Sequence, residues 1–215
     1  MMKYILFDLD GTLTDPAVGI LSGVRYALDY FVVEYGDDES LFCYIGPPLR
    51  ESFRDYAGLS ENDAEIAVKK YREYYSVTGV KQNKLYDGVT RMLEELKSKG
   101  FVLSLATSKP TAFAKVILED FGIDKFFSFV AGSEFDGTRD KKADVVEYAL
   151  SSLGAEPSDA VMVGDRLHDV NGAAAHGVKC IGVTYGYGTR EELCSAGAYT
   201  TVDSPLEIVK AIENM

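Results

Sequence analysis

The pattern of apolar positions gives the chain two textures. From about residue 85 onward, short continuous apolar runs alternate with stretches whose apolar residues recur every three or four positions. The runs are 102–106 (VLSLA), 129–131 (FVA), 160–163 (AVMV), 180–183 (CIGV) and a last one from Tyr199 to Val202; residues 4–7 (YILF) form another near the start. The stretches between them carry Phe113, Val116 and Ile117, then Val145, Val146, Ala149 and Leu150, and finally Leu206, Val209 and Ile212. Strands apolar on both faces, separated by amphipathic helices, predict a parallel sheet covered by helices on either side.

Residues 16–84 read differently. Ile20, Val24, Leu28 and Phe31 recur at helical spacing, with Gly36 as the expected stop. A second helix holds Leu49, Phe53 and Tyr56 behind Pro47 and Pro48. A third begins at Ser60, signalled by Asp63 three residues on, and carries Ile66, Ala67 and Tyr71. No strand is expected there. The predicted organisation is therefore an α/β core of Rossmann-like type, residues 1–15 and 85–215, interrupted straight after its first strand by an all-helical cap of residues 16–84. Open parallel sheets bind ligands beyond the carboxyl ends of their strands, so an insert leaving from that edge is expected to form a lid.

Composition narrows the function more than the fold. With 47% hydrophobic and 26% charged residues over 215 positions, the chain has the makings of a sizeable core. A formal net charge of −12 without a basic patch argues against a nucleic-acid partner. It also means that an anionic substrate would need a local positive device such as a metal ion. Cys43, Cys180 and Cys194 are an odd number at no zinc-like spacing and are expected to be reduced thiols. With neither a signal-peptide core nor an apolar run of membrane length, the expectation is a soluble, cytoplasmic protein, monomeric or homodimeric.

The chemistry gathers where the apolar runs end. Asp8 and Asp10 follow the first run; in extended chain, residues two apart share a side, so both carboxylates can enter one crevice. Gly11 allows a sharp turn there, and the Thr12 hydroxyl can bond a nearby carboxylate or backbone group. An ordinary acidic Asp-Gly turn is the plainer alternative. After the run 160–163 come Asp165 and Asp169, four apart, which a helix starting at that point would bring to one side. Acidic residues that merely complement a helix dipole are the competing explanation. Two pairs of acids on strand ends of one sheet form an oxygen-only cluster of the kind that suits Mg²⁺. At the end of 102–106, the Thr107 hydroxyl and the backbone of Ser108 can grip a phosphoryl oxygen, although Ser108 or Lys109 could equally lead into a helix N-cap before Pro110. Lys141 and Lys142 open the next helix, where a lysine is mildly unfavourable unless something else holds it.

Jointly these four strand ends resemble the haloacid dehalogenase superfamily of phosphohydrolases, in its form with a helical cap after the first motif. The D-x-D-G-T motif is 8–12, the Ser/Thr motif is Thr107, the lysine motif falls at Lys141-Lys142, and G-D-x-x-x-D is 164–169. Within the superfamily the chain looks most like the phosphoglycolate phosphatase group and its nucleotidase-like relatives. The resemblance implies hydrolysis of a small phosphorylated metabolite, with Asp8 as nucleophile and Asp10 as general acid and base. It implies Mg²⁺ held by Asp8, the backbone carbonyl of Asp10, and Asp165, with Asp169 as an indirect ligand. Thr107 and one lysine would neutralise the transferring oxygens, and Gly11, Thr12 and Ser108 would line the phosphoryl pocket. Many relatives have proline after the motif lysine; here Ala143 follows, so Lys142 is preferred over Lys141 without being decided.

Arg50, where relatives present a specificity loop, is the candidate for a second substrate anion, with a solvated helix arginine as the alternative. Residues 134–138 (EFDGT) echo the opening motif with Glu in the nucleophile's place and are expected to form a loop near the site. Gly186-Tyr187-Gly188 lacks the third glycine of a dinucleotide loop, and His168 and His176 read as helix or surface residues. The tyrosines of residues 26–86 read as cap packing, with one or two lining the substrate pocket as the alternative. Competing functions are a sugar phosphomutase with the same acids, and a regulatory binding module on the same fold.

Overall fold

A computed structural model describes residues 2–215 and divides them into two compact units, one running up to Asp15 and resuming over Leu85–Met215, the other Pro16–Lys84. The chain opens with β1 (Tyr4–Phe7) and the short β2 (Thr14–Asp15), then forms α1 (Ala17–Tyr30), α2 (Asp38–Leu41), α3 (Leu49–Ala57) and α4 (Glu61–Tyr75). After β3 (Lys84–Leu85) come α5 (Val89–Ser98), β4 (Val102–Pro110), α6 (Thr111–Asp120), β5 (Phe127–Ser133) and α7 (Lys142–Leu153). The remainder is β6 (Ala160–Gly164), α8 (Leu167–Ala174), β7 (Lys179–Val183), α9 (Arg190–Ser195), β8 (Thr200–Val202) and α10 (Pro205–Glu213). β2 and β3 pair as a separate two-stranded sheet.

The main sheet has the order β5-β4-β1-β6-β7-β8, with every pair parallel. β1 is central, and Phe7 lies level with Leu105 on one side and Val163 on the other. Ile5, Leu6 and Phe7 are wholly buried because helices cover both faces, which is why the strand has no polar alternation. One layer packs Val145, Val146 and Ala149 of α7 against Leu6, Ala106, Ala131 and Met162. The winding reverses beside β1: strands met earlier in the core segment lie on its β4 side and later ones on its β6 side. Such a switch point opens a crevice at the carboxyl ends of the flanking strands.

Three local readings change in the structure. β4 runs through Thr107, Ser108 and Lys109 to Pro110, so neither Ser108 nor Lys109 caps a helix; α6 starts at Thr111. Its partner holds it extended, since Pro110 is in register with Ser133 and the Ser133 hydroxyl donates to the Ser108 carbonyl at 2.7 Å. Asp165 precedes α8 instead of sharing a helical face with Asp169, so the loop into the helix brings the two together. α5 has no counterpart in the strand-and-helix pattern read from the sequence; it buries Val89, Met92, Leu93 and Leu96.

In the helical unit, Ser60 caps α4 by accepting the Asp63 N–H at 3.2 Å, and Ala64, Ala67, Tyr71 and Tyr75 face inward while Ile66 is exposed. Tyr71 and Tyr75 stack at 5.1 Å, and Gly23 of α1 leaves room for the Tyr71 ring. The tyrosines are divided: Tyr44, Tyr71 and Tyr75 are core, whereas Tyr26, Tyr30 and Tyr56 are exposed. α1 stops well before Gly36, because the apolar repeat that anchors it ends near Leu28; the Val33 N–H closes the end on the Leu28 carbonyl at 3.1 Å. That closure puts Val32 at φ 54°, in left-handed backbone, with 89% of its surface exposed. A β-branched residue there strains the backbone without burying anything in return. Val32→Gly should therefore raise stability by about 1 kcal/mol, read as a melting midpoint about 2–4 °C higher.

Candidate active site

All six charged side chains that are buried among the described residues belong to one cluster: Asp8, Asp10, Lys109, Lys142, Asp165 and Asp169. Asp8 leaves β1 with its N–H donating to the Val163 carbonyl at 2.9 Å, which fixes the carboxylate at the mouth of the switch-point crevice. Lys142, the first residue of α7, reaches it at 2.8 Å, reaches Asp169 at 2.7 Å, and donates to the Ala106 carbonyl at 3.1 Å. Lys141 is exposed, so Lys142 is the lysine that enters the cluster, and its place at a helix N-terminus is held by two carboxylates and a carbonyl. Asp169 also accepts the Arg166 N–H through Oδ2 at 3.0 Å. Both of its oxygens are thereby engaged, one by an ammonium and one by the helix start.

Asp10 faces a different partner. Its Oδ2 pairs with Lys109 Nζ at 2.7 Å, with both side chains almost fully buried. Lys109 is absent from the candidate site residues above, although the sequence carries a signal for it. Thr107 and Lys109 are two apart in a strand, the spacing that had placed Asp8 with Asp10. Thr107 is buried and its Oγ1 accepts the Lys109 N–H at 3.2 Å. Thr12 departs from expectation: its hydroxyl is buried without a hydrogen-bond partner, and its carbonyl accepts from the Tyr185 hydroxyl at 2.8 Å. Ser108 contributes its carbonyl to the Ser133 bond. Gly11 has φ +80°, and a Cβ there would lie 2.5 Å from the Asp165 carboxyl carbon, so the turn needs glycine for both conformation and space. Arg50 belongs to the helical unit, where it pairs with Glu65 at 3.5 Å while its Nε is buried without a hydrogen-bond partner. Glu134 of the 134–138 turn is occupied by Thr111 and Arg139, and His176 faces the Ala143 carbonyl.

The electrostatics follow from burial. Four carboxylates face two ammonium groups, leaving two negative charges without a buried counterion. Desolvation pushes the Asp165 carboxyl well above its ordinary range, and Asp169 and Asp8 push it further. Asp169 is raised to about 6, burial outweighing the pull of Lys142. Asp10 is raised by burial and drawn back by Lys109. Burial works against the charge on Lys142, yet Asp169 and Asp8 hold its pKa above the ordinary value.

A divalent cation fits these residues. Asp8, Asp165 and Asp169 each bring one oxygen to within 4.8 Å of the others, and Oδ1 of Asp165 and of Asp10 are buried without a hydrogen-bond partner. The donors are all oxygen, the set that hard cations take, and two positive charges would balance the surplus. Asp10 stands apart from the carboxylate triad and pairs with Lys109. No helix among the described residues is long and apolar enough to cross a membrane, and the three cysteines are free.

Comparison with known proteins agrees with this geometry. The family model described as haloacid dehalogenase-like hydrolase matches residues 5–183. A 5'-nucleotidase of Pseudomonas aeruginosa is 45% identical over 189 residues, covering 88% of this chain and 86% of that protein. The tyrosine-protein kinase PtkA of Mycobacterium tuberculosis is 45% identical over 186 residues; that is 86% of this chain but 63% of PtkA, so the chain spans less than two thirds of that relative. A solved structure described as a predicted phosphatase from Clostridium acetobutylicum superposes with a TM-score of 0.98 at 46% identity, covering 100% of both chains. With its buried acids and lysines at the strand ends and this likeness along its length, the chain belongs to the haloacid dehalogenase-like hydrolase family and is one of its phosphatases.

Proposed function

We propose that the chain is a Mg²⁺-dependent phosphatase that hydrolyses a small phosphomonoester, a phosphoglycolate-like molecule or a nucleoside monophosphate, through a phosphoryl group carried on Asp8. One observation carries this: the two unbalanced negative charges buried beside Asp8, Asp165 and Asp169 at the carboxyl edge of the sheet. Asp8, Asp165 and the backbone carbonyl of Asp10 would hold the ion, and Asp169, engaged by Lys142 and the Arg166 N–H, would act behind them. When bound, Mg²⁺ supplies charge neutralisation to the phosphoryl oxygens and lets an anionic ester approach an anionic nucleophile.

The side chains divide the remaining work. An Asp8 oxygen attacks phosphorus and the ester P–O bond breaks, while Asp10 gives its proton to the departing oxygen. Lys142 and the Thr107 hydroxyl, with the backbone beside Ser108 and Gly11, bind the equatorial oxygens, where charge accumulates in the transition state. Asp10 then takes a proton from water as that water attacks phosphorus, and the P–O bond to Asp8 breaks to release phosphate. Asp10 suits both halves because burial favours its neutral form while Lys109 favours the charged one. The helical unit is the proposed cap, with Arg50 offering its guanidinium to a second anion on the substrate. A mutase would use the same acids on a sugar phosphate. A non-catalytic binding module would leave six buried charges unused, at a desolvation cost of several kcal/mol per ion.

A panel of phosphoglycolate, nucleoside monophosphates and sugar phosphates, assayed with Mg²⁺, should yield inorganic phosphate from at least one member. Isomerised sugar phosphate would make the chain a mutase, transfer from ATP to tyrosine would make it a kinase, and no turnover at all would sink the phosphatase reading. Asp8→Asn should abolish turnover, and Asp10→Asn should lower kcat by about 10²–10⁴-fold. Lys109→Met should slow hydrolysis of alkyl phosphates more than that of p-nitrophenyl phosphate, whose leaving group needs no proton. For Arg50→Ala, the expected result is a higher KM for phosphoglycolate with little change for p-nitrophenyl phosphate. Without metal, the fold retains protons on Asp10, Asp165 and Asp169 that the unfolded chain releases near the ordinary value of 3.8. These groups therefore stabilise the fold most at low pH, and the share of Asp169 is lost as pH rises through about 6. Melting in EDTA should show this decline, and added Mg²⁺ should raise the midpoint near pH 7 by binding only the folded state.

A further inference from the structure

Residues 184–188 (TYGYG) follow β7, and no step described above uses them. They run directly against Asp165. The Tyr187 N–H donates to Asp165 Oδ2 at 2.8 Å. On either side of Tyr187 the chain passes too close for a side chain. A Cβ on Gly186 would lie 2.5 Å from Asp165 Cβ and collide with the Gly11 carbonyl, and a Cβ on Gly188 would overlap the Asp165 carbonyl oxygen. Neither glycine has a positive φ, so close approach rather than backbone conformation excludes other residues.

The segment is also fastened to the loop that follows Asp8 and Asp10. The Tyr185 hydroxyl donates to the Thr12 carbonyl at 2.8 Å, the Tyr187 hydroxyl donates to the Asp15 carboxylate, and Tyr86 packs edge-on against Tyr185 at 5.0 Å. One carboxylate oxygen of Asp165 is thus occupied by the strap, while the other, Oδ1, is buried without a hydrogen-bond partner. That arrangement holds Asp165 in one orientation, with one oxygen committed and one to offer.

We propose that residues 184–188 are a positioning strap for Asp165, and that Tyr187, through its hydroxyl bond to Asp15, sets how tightly the site binds a divalent cation. The inference rests on the reading that Asp8, Asp165 and the Asp10 carbonyl hold such an ion, with Asp169 behind them. A ligand already locked by its outer partners loses little freedom when the ion arrives, and loosening those partners weakens the metal.

The test is equilibrium binding of Mn²⁺, with Mg²⁺ as competitor, to the metal-free full chain and its variants. Tyr187→Phe keeps the ring and the N–H to Asp165 but loses the hydroxyl's bonds to Asp15 and Tyr86; it should weaken Mn²⁺ binding about 10-fold. Asp15→Ala should weaken binding too, and the loss in the double variant should fall short of the sum of the two, because both remove the Tyr187–Asp15 bond. Asp15→Asn keeps an acceptor for the Tyr187 hydroxyl and should bind almost as the parent does. Should Tyr187→Phe fail to fold, the contrast between Asp15→Ala and Asp15→Asn carries the same comparison. Unchanged Mn²⁺ affinity in Tyr187→Phe, or additive losses in the double variant, would overturn the strap. A parent protein that binds no Mn²⁺ would instead remove the cation reading beneath it, a result distinct from equal binding by parent and variant.

Discussion

The constraint on which the structure turns is the burial of unbalanced charge. Every buried charged side chain among the described residues lies in one cluster, and its four carboxylates outnumber its two lysines. Taking an ion out of water costs several kcal/mol, and an excess of one sign has no internal remedy. The polypeptide spends stability to keep Asp8, Asp165 and Asp169 together, and the raised pKa of Asp165 and Asp169 records that cost in the metal-free state. A divalent cation would offset that repulsion. In a protein with a net charge of −12, it would leave the buried cluster neutral where an anionic ester is proposed to bind.

Topology decides where this cluster can exist. Ile5, Leu6 and Phe7 of β1 are wholly buried between β4 and β6, so the chain emerges at the sheet edge where the winding reverses. Asp8 and Asp10 leave β1 there, Thr107 and Lys109 continue β4 past its apolar run, and Asp165 follows β6. The rigid sheet sets the separations between these groups, and the helices contribute what strands cannot. α7 places Lys142 between Asp8 and Asp169, and the first turn of α8 holds Asp169 through the Arg166 N–H. The two lysines serve different acids: Lys142 pairs with Asp8 and Asp169, Lys109 with Asp10. Two aspartates only two residues apart thereby sit in different surroundings, as the proposed division of labour requires.

Much of this was legible in the amino-acid order, and what was missed has a common cause. The parallel sheet could be read because strands buried on both faces must be apolar throughout, and the four motifs could be read because each closes such a run. Lys109 was passed over because its neighbour Pro110 suggested a helix start, whereas pairing with β5 keeps the chain extended through it. The end of α1 was placed too late because glycine is the usual stop, yet here Val32 takes the left-handed conformation. Gly186 and Gly188 were set aside because they fit no phosphate-binding loop. What demands glycine there is the passage of the backbone beside Asp165, which lies twenty or so residues earlier in the chain.

The sequence by itself determined the alternation of strand and helix, the break at residues 16–84, and which acids could take part, since these depend on local periodicity and on the residue types at strand ends. Tertiary structure decided which of two adjacent lysines is buried, that Asp165 meets Asp169 through a loop rather than along a helix, that Asp10 is paired with Lys109, and that the Tyr187 N–H bonds Asp165. The physical reason is range. Periodicity and capping act within a few residues, whereas burial, desolvation and ion pairing depend on groups brought together from distant parts of the chain.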